Sequence, residues 1–241
     1  MLKNRSSTKT VAKKRPKTPP KKQSLRGDLA PDRIEAILKA LDEAYPEAVC
    51  ALTHRSPWEL LVATILSAQC TDVRVNMVTP ELFRRFPTPQ AMAKASLPEL
   101  EELIRTTGFF RNKAKSIQGA ARKIVEEFGG QVPQTLAELI TIPGAARKTA
   151  NVVLGVCFAT AEGVVVDTHV FRIARRLELA KGDTAEKVEQ ELMRVLAQDR
   201  WISFSHQIIH HGRKVCVARK PKCSECNLEQ LCNSKDKTWH S

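Results

Sequence analysis

Four cysteines crowd one end of this 241-residue chain: Cys216, Cys223, Cys226 and Cys232, separated by six, two and five residues. Thiolates this close repel one another unless a cation or cluster neutralises them, so the segment reads as a metal site. Structural Cys₄ zinc sites usually pair two short Cys-x₂₋₄-Cys knuckles. Only Cys223-Ser224-Glu225-Cys226 forms one here, and the other two cysteines stand alone on either side. Four thiolates spread over one loop suit a 4Fe–4S cluster, which takes one cysteine per iron. The spacing favours iron–sulfur over zinc. A disulfide framework is disfavoured in a chain of this length without further cysteine pairs. Cys50, Cys70 and Cys157 are scattered among apolar residues and read as small core side chains.

A second segment with chemical potential is Thr141-Ile142-Pro143-Gly144-Ala145-Ala146-Arg147-Lys148-Thr149-Ala150-Asn151. Proline and glycine make a tight turn, and a helix then starts with its free amide hydrogens pointing outward. Such a terminus binds phosphate through backbone donors and the helix dipole, without sequence preference. The turn alone is equally consistent with an ordinary helix–helix connection.

The elements that must position these residues are helical throughout. Ile34, Ile37, Leu38 and Leu41 repeat at helical spacing. Ser56-Pro57-Trp58-Glu59 is a capping box with proline at the first helical position, opening a helix to Gln69. Ser96-Leu97-Pro98-Glu99 and Thr135-Leu136-Ala137-Glu138 repeat the device. Helices are also predicted over 113–128, 145–158, 168–177, 184–197 and 201–211. Only Gly163 to Val166 looks strand-like, and four residues are too few for a sheet. The expected class is all-α, and the low aromatic content, 5%, agrees.

Charge is distributed unevenly. The net charge is +13, yet residues 1–27 hold ten Lys or Arg and no acidic residue, leaving 29 basic against 26 acidic residues elsewhere. The tail is rich in Ser, Thr and Pro and cannot bury a core, so it reads as a disordered basic tail. It serves either as a solubilising extension or as an arm that finds polyanions, nucleic acid above all. No secretory signal or apolar run of membrane length is evident, so an intracellular location without membrane contact is expected.

Taken together, these segments resemble a known family. Ile142 to Asn151 resembles the helix–hairpin–helix motif of the endonuclease III family of DNA glycosylases. Val166-Asp167-Thr168-His169-Val170 resembles that family's aspartate motif, nineteen residues beyond the lysine. The four-cysteine spacing is similar to its iron–sulfur loop, and Leu66-Ser67-Ala68-Gln69-Cys70-Thr71-Asp72 to its helix-end motif. All four stand in the family's order, and the resemblance covers residues 30–235.

The resemblance implies a base-excision repair glycosylase that removes damaged bases, oxidised pyrimidines in particular, and cleaves abasic sites. Lys148 stands at the nucleophile's position and Asp167 at that of the carboxylate that stabilises positive charge on the sugar. Partial burial of Lys148 is expected to favour its neutral, attacking form. Asp167 also suits a helix N-cap. Excision requires extrusion of the nucleotide from the stack. Gln69 matches the family's gap-filling glutamine, and Phe109 stands where the family usually has an apolar wedge, often leucine; the alternative for Phe109 is core packing. Gly144 and Ala146 belong to the phosphate-binding hairpin, with Ala146 in place of a usual glycine. Arg219, Lys220 and Lys222, inside the cysteine loop, are placed to meet the DNA backbone.

The implied architecture is two helical lobes flanking a DNA-binding cleft. One is a six-helix lobe over 50–160 with the hairpin. The other combines 28–49 with 161–241 and carries a 4Fe–4S cluster. The partner is double-stranded DNA with a damaged base or abasic site, met by a monomer inside the cell, in the cytoplasm or nucleoid if the source is bacterial. The rivals are a monofunctional mismatch or adenine-type glycosylase, which generally lacks a lysine at position 148, and a non-catalytic DNA-binding protein with an iron–sulfur scaffold.

Overall fold

A computed structural model describes residues 29–239, and the regular elements within it are all helical. The basic tail, 1–27, lies outside the described residues. In chain order the α-helices are α1 (Pro31–Ala44), α2 (Pro57–Leu66), α3 (Asp72–Arg85), α4 (Pro89–Lys94), α5 (Leu97–Ile104), α6 (Phe110–Glu127), α7 (Leu136–Leu139), α8 (Arg147–Phe158), α9 (Thr168–Arg176), α10 (Ala185–Val195) and α11 (Trp201–Lys214).

The predicted caps form. Ser56 Oγ accepts from Glu59 N at 3.2 Å, Ser96 Oγ from Glu99 N at 3.4 Å, and Thr135 Oγ1 from Glu138 N at 3.3 Å. Each bond satisfies an amide that its own helix leaves without a partner. Two helices are not among those the periodicity predicts. α3 buries only Val75, Thr79 and Leu82 and carries Pro80 in its interior, and α4 is six residues long. Their apolar stripes are too thin to stand out from sequence. Residues 163–166 form no strand; Val165 N donates instead to Ser205 Oγ at 3.1 Å.

Buried apolar side chains fall into two clusters. The first spans Leu52 to Leu154 and is filled by α2, α6 and α8, with Leu60, Leu66, Ile117 and Leu154 fully buried. The second joins Ile37 and Leu41 of α1 to residues from Val164 to Leu228, with Phe204 and Ile208 at its centre. Specific polar contacts hold α1 on this second cluster despite the intervening hundred-odd residues. Fully buried Arg33 donates to the carbonyls of Leu177 at 2.5 Å and Leu231 at 2.8 Å, and Asp42 accepts from Arg200 at 2.6 Å and Gln207 at 2.8 Å.

Candidate active site and cluster loop

The hairpin is built from the single-turn α7, the turn through Pro143-Gly144, and α8. Gly144 has φ +81°, and a Cβ there would stand 2.9 Å from the Cβ of Ser116 and 3.3 Å from Ile65. The turn therefore needs glycine for its conformation and for its close approach to α2 and α6. Ala146 is different. Its φ of −72° and ψ of 168° are ordinary for any L-residue, so the missing second glycine costs the hairpin nothing in backbone strain. Ala146 caps α8 without a side-chain hydrogen bond, leaving the first amides of α8 unpaired by any side chain. This is the geometry that binds a phosphate oxygen.

Lys148 is the second residue of α8 and Asp167 the N-cap of α9. They come from different helical clusters, yet both line one recess of about 640 Å³ and the wider cleft of about 1350 Å³ beside it. Asp167 Oδ1 accepts from the amides of His169 and Val170, each at 2.8 Å. Oδ2 makes no hydrogen bond among the described residues. The carboxylate is thus fixed through one oxygen and available through the other. Lys148 is exposed, contrary to the expected partial burial. The cleft is open to solvent, so protein alone does not enclose the amine.

Tertiary contacts that no local motif announces hold these elements together. Glu189 of α10, almost fully buried, accepts from Arg147 Nε at 3.0 and 3.1 Å and from Asn151 Nδ2 at 3.0 Å. A Cβ on Gly163 would fall 2.1 Å from this carboxylate and 2.5 Å from Asn151 Nδ2, so the contact leaves no room for a side chain there. Asp72, in the first turn of α3, is paired with Arg213 of α11, and both line the recess.

The DNA-facing candidates stand at turns. Gln69 follows α2 in the left-handed region, φ 53°, exposed on the cleft wall. Thr71 Oγ1 then caps α3 at 3.3 Å from Arg74 N. Phe109 is also left-handed, φ 49°, and is 64% exposed, whereas Phe110 leans on the first core. Phe109 is therefore not a core residue in the protein without DNA. Arg219, Lys220 and Lys222 are exposed, around buried Pro221. Lys222 lies 3.9 Å from Glu225.

All four predicted cysteines line one cavity of about 330 Å³. Among the described residues no three His, Cys, Asp or Glu converge closely enough to hold a single metal ion. Four thiols around one cavity suit a polynuclear cluster with one thiolate per iron. Burial pushes the Cys226 thiol up to about 11, so its thiolate requires a cationic partner. Arg176, the last residue of α9, donates to Cys216 Sγ at 3.2 Å and to the carbonyls of Val217 at 2.9 Å and Ala218 at 3.1 Å. Cys50, Cys70 and Cys157 are half-buried against the first core and are not enclosed in it; Cys50 lines the recess and Cys70 the cleft.

Comparisons with known proteins agree with this geometry. Residues 62–198 match the profile described as HhH-GPD superfamily base excision DNA repair protein, and residues 216–232 match the iron–sulfur binding domain of endonuclease III. The chain belongs to the endonuclease III family. The endonuclease III of Synechocystis sp. is 57% identical over 202 residues, covering 84% of this chain and 92% of that protein. That of Bacillus subtilis is 42% identical, covering 85% and 94%. Among solved structures, a trapped covalent endonuclease III–DNA intermediate in an estranged-adenine complex superposes with a TM-score of 0.81 at 40% identity, covering 86% of this chain and 97% of that one. As a family member, this protein is a base-excision repair DNA glycosylase with abasic-site lyase activity, and it carries a 4Fe–4S cluster. No helix among the described residues is long and apolar enough to cross a membrane.

Three contributors to the site escaped the sequence reading: Glu189, the Asp72–Arg213 pair and His206, which also lines the recess. Glu189 sits mid-helix, where a charge ordinarily means a solvated face. Asp72 and Arg213 are 141 residues apart.

Proposed function

We propose that Lys148 is the nucleophile and Asp167 the assisting carboxylate in removing oxidised pyrimidines from duplex DNA. Their convergence on one recess from separate helices carries this reading. An extruded nucleotide would bring C1′ between them. The lysine amine forms a bond to C1′ while the glycosidic bond breaks, and its electron pair leaves with the base. Opposite charge from Asp167 favours the cationic sugar. Opening of the sugar ring gives a Schiff base, loss of a 2′ proton follows, and the 3′ phosphate departs by β-elimination.

Gln69 and Phe109 would occupy the space that the extruded nucleotide vacates. The α8 amides beside Gly144 and Ala146, with Arg219, Lys220 and Lys222, would hold phosphates. We assign the two lobes as 50–160 and as 28–49 with 161–241, which the two separate cores support. One chain supplies both reacting groups, so a monomer suffices. The cysteines Cys216, Cys223, Cys226 and Cys232 would hold the cluster, whose part is to fix the shape of the basic loop.

Borohydride added to the wild-type protein on an abasic duplex should trap a covalent adduct, and Lys148→Gln should form none while still binding a tetrahydrofuran abasic analogue. An adduct with Lys148→Gln would overturn the assignment. A monofunctional glycosylase would give no adduct with the wild type.

A further inference from the structure

We infer that His206 reads the extruded base, donating a ring N–H to the C2 carbonyl of the damaged pyrimidine. This rests on the lyase reading above, because it takes the recess beside Lys148 and Asp167 as the place where the base lodges.

The polar inventory of the recess leads to this residue. Thr64 Oγ1 donates to Leu60 O at 2.7 Å, and Ser67 Oγ to Thr64 O at 2.8 Å. Ser205 Oγ donates to Trp201 O at 2.8 Å and accepts from Val165 N. His210 is 3.2 Å from Val49 O, and Asp72 and Arg213 satisfy each other. Lys148 and Asp167 serve the sugar. His206, half-buried on α11, lines the same recess and has no hydrogen-bond partner among the described residues. An imidazole that lines a cavity without a protein partner is free to donate its N–H to a ligand lodged there. Burial and the neighbouring His210 hold its pKa below the usual histidine value, so at neutral pH it carries one N–H and no charge. A neutral donor suits a neutral base.

The C2 carbonyl is the acceptor that fits best. It is common to thymine- and cytosine-derived lesions, whatever has happened at C5 and C6. It is also conjugated to N1, so when the N1–C1′ bond breaks the electron pair spreads onto O2. A hydrogen bond there strengthens as the base departs. One contact thus accounts for binding and for leaving-group stabilisation, without discriminating among oxidised pyrimidines.

Abasic-site cleavage separates this role from the rest of the site, since that substrate has no base. For His206→Phe, single-turnover excision of thymine glycol and of dihydrouracil should fall at least tenfold more than cleavage of an abasic duplex. His206→Gln, which keeps an N–H donor, should recover much of that loss. On the wild-type protein, the ¹⁵N resonances of the His206 ring should shift on binding a duplex with a non-cleavable 2′-fluoro thymine glycol and not on binding one with tetrahydrofuran. Equal losses in excision and lyase rates, no loss in either, or an unshifted ring would each overturn the inference. A wild-type protein without borohydride-trappable lyase activity would instead overturn the reading beneath it.

Discussion

Arg147 and Glu189 meet through a two-pronged contact, with the arginine Nε at 3.0 and 3.1 Å from the two carboxylate oxygens. Arg147 immediately precedes Lys148, and Asn151, one turn on, shares the same carboxylate. The helix that presents the nucleophile is therefore fastened to α10 of the other core. Glu189→Ala would leave Asn151 and Arg147 without this acceptor, at roughly 1–3 kcal/mol in folding stability. It should also slow excision and abasic cleavage together, because it moves Lys148. A melting curve and the two single-turnover rates check this.

Asp167 serves both as N-cap and as catalyst, and substitution can divide the two. Asparagine caps a helix about as well as aspartate. Asp167→Asn should keep the melting temperature and lose most of the excision rate. Asp167→Ala should lose the rate and also about 1 kcal/mol of stability. If Asp167→Asn retained full activity, the carboxylate would be structural alone.

Phe109 has little packing to lose. Its truncation to alanine should leave the melting temperature nearly unchanged, where a core phenylalanine would cost roughly 3–5 kcal/mol. Binding to a lesion duplex should weaken by about 1–3 kcal/mol if its ring stacks against bases. Melting and binding are measured on one variant.

Gly144 and Ala146 make opposite predictions within one turn. Gly144→Ala places a Cβ at φ +81° against Ser116 and should cost about 1–3 kcal/mol, with weaker DNA binding as the hairpin shifts. Ala146→Gly relieves no strain, so it should bring no gain in binding. Thermal melts and binding isotherms on both variants decide.

The purified protein should be coloured and contain about four irons per chain. Cys226→Ser removes one thiolate from the ring around the cavity and should lower soluble yield and visible absorbance together. A colourless, fully active protein with one zinc would contradict the cluster assignment.

Removal of residues 1–27 takes away ten positive charges. Each phosphate neutralised contributes about −0.9 to the slope of log affinity against log salt. If about four of them engage DNA, the slope should flatten by roughly three to four units, equally for damaged and intact duplex. Single-turnover excision at saturating protein should not change. An unchanged slope would make the tail a solubilising or targeting extension.

What the sequence determined by itself is local or carried by motif. The caps at Ser56, Ser96 and Thr135, the turn at Gly144 and the cap at Asp167 each rest on bonds between residues a few positions apart, so residue type and spacing suffice. The cysteine spacing likewise announces a cluster, because four thiolates on one loop have few other uses. Where tertiary packing intervened, sequence fell short. The thin stripes of α3 and α4 become legible only once the first core surrounds them. The expected partial burial of Lys148 did not hold, because exposure depends on what lies across the cleft. The pairing of Arg147 with Glu189, 42 residues on, and of Asp72 with Arg213, 141 residues on, follows from how two cores set their helices side by side. His206 gave no signal, since a histidine on a helix is read from what it faces. Only the folded chain places it, with its ring unpaired, in the recess that Lys148 and Asp167 share.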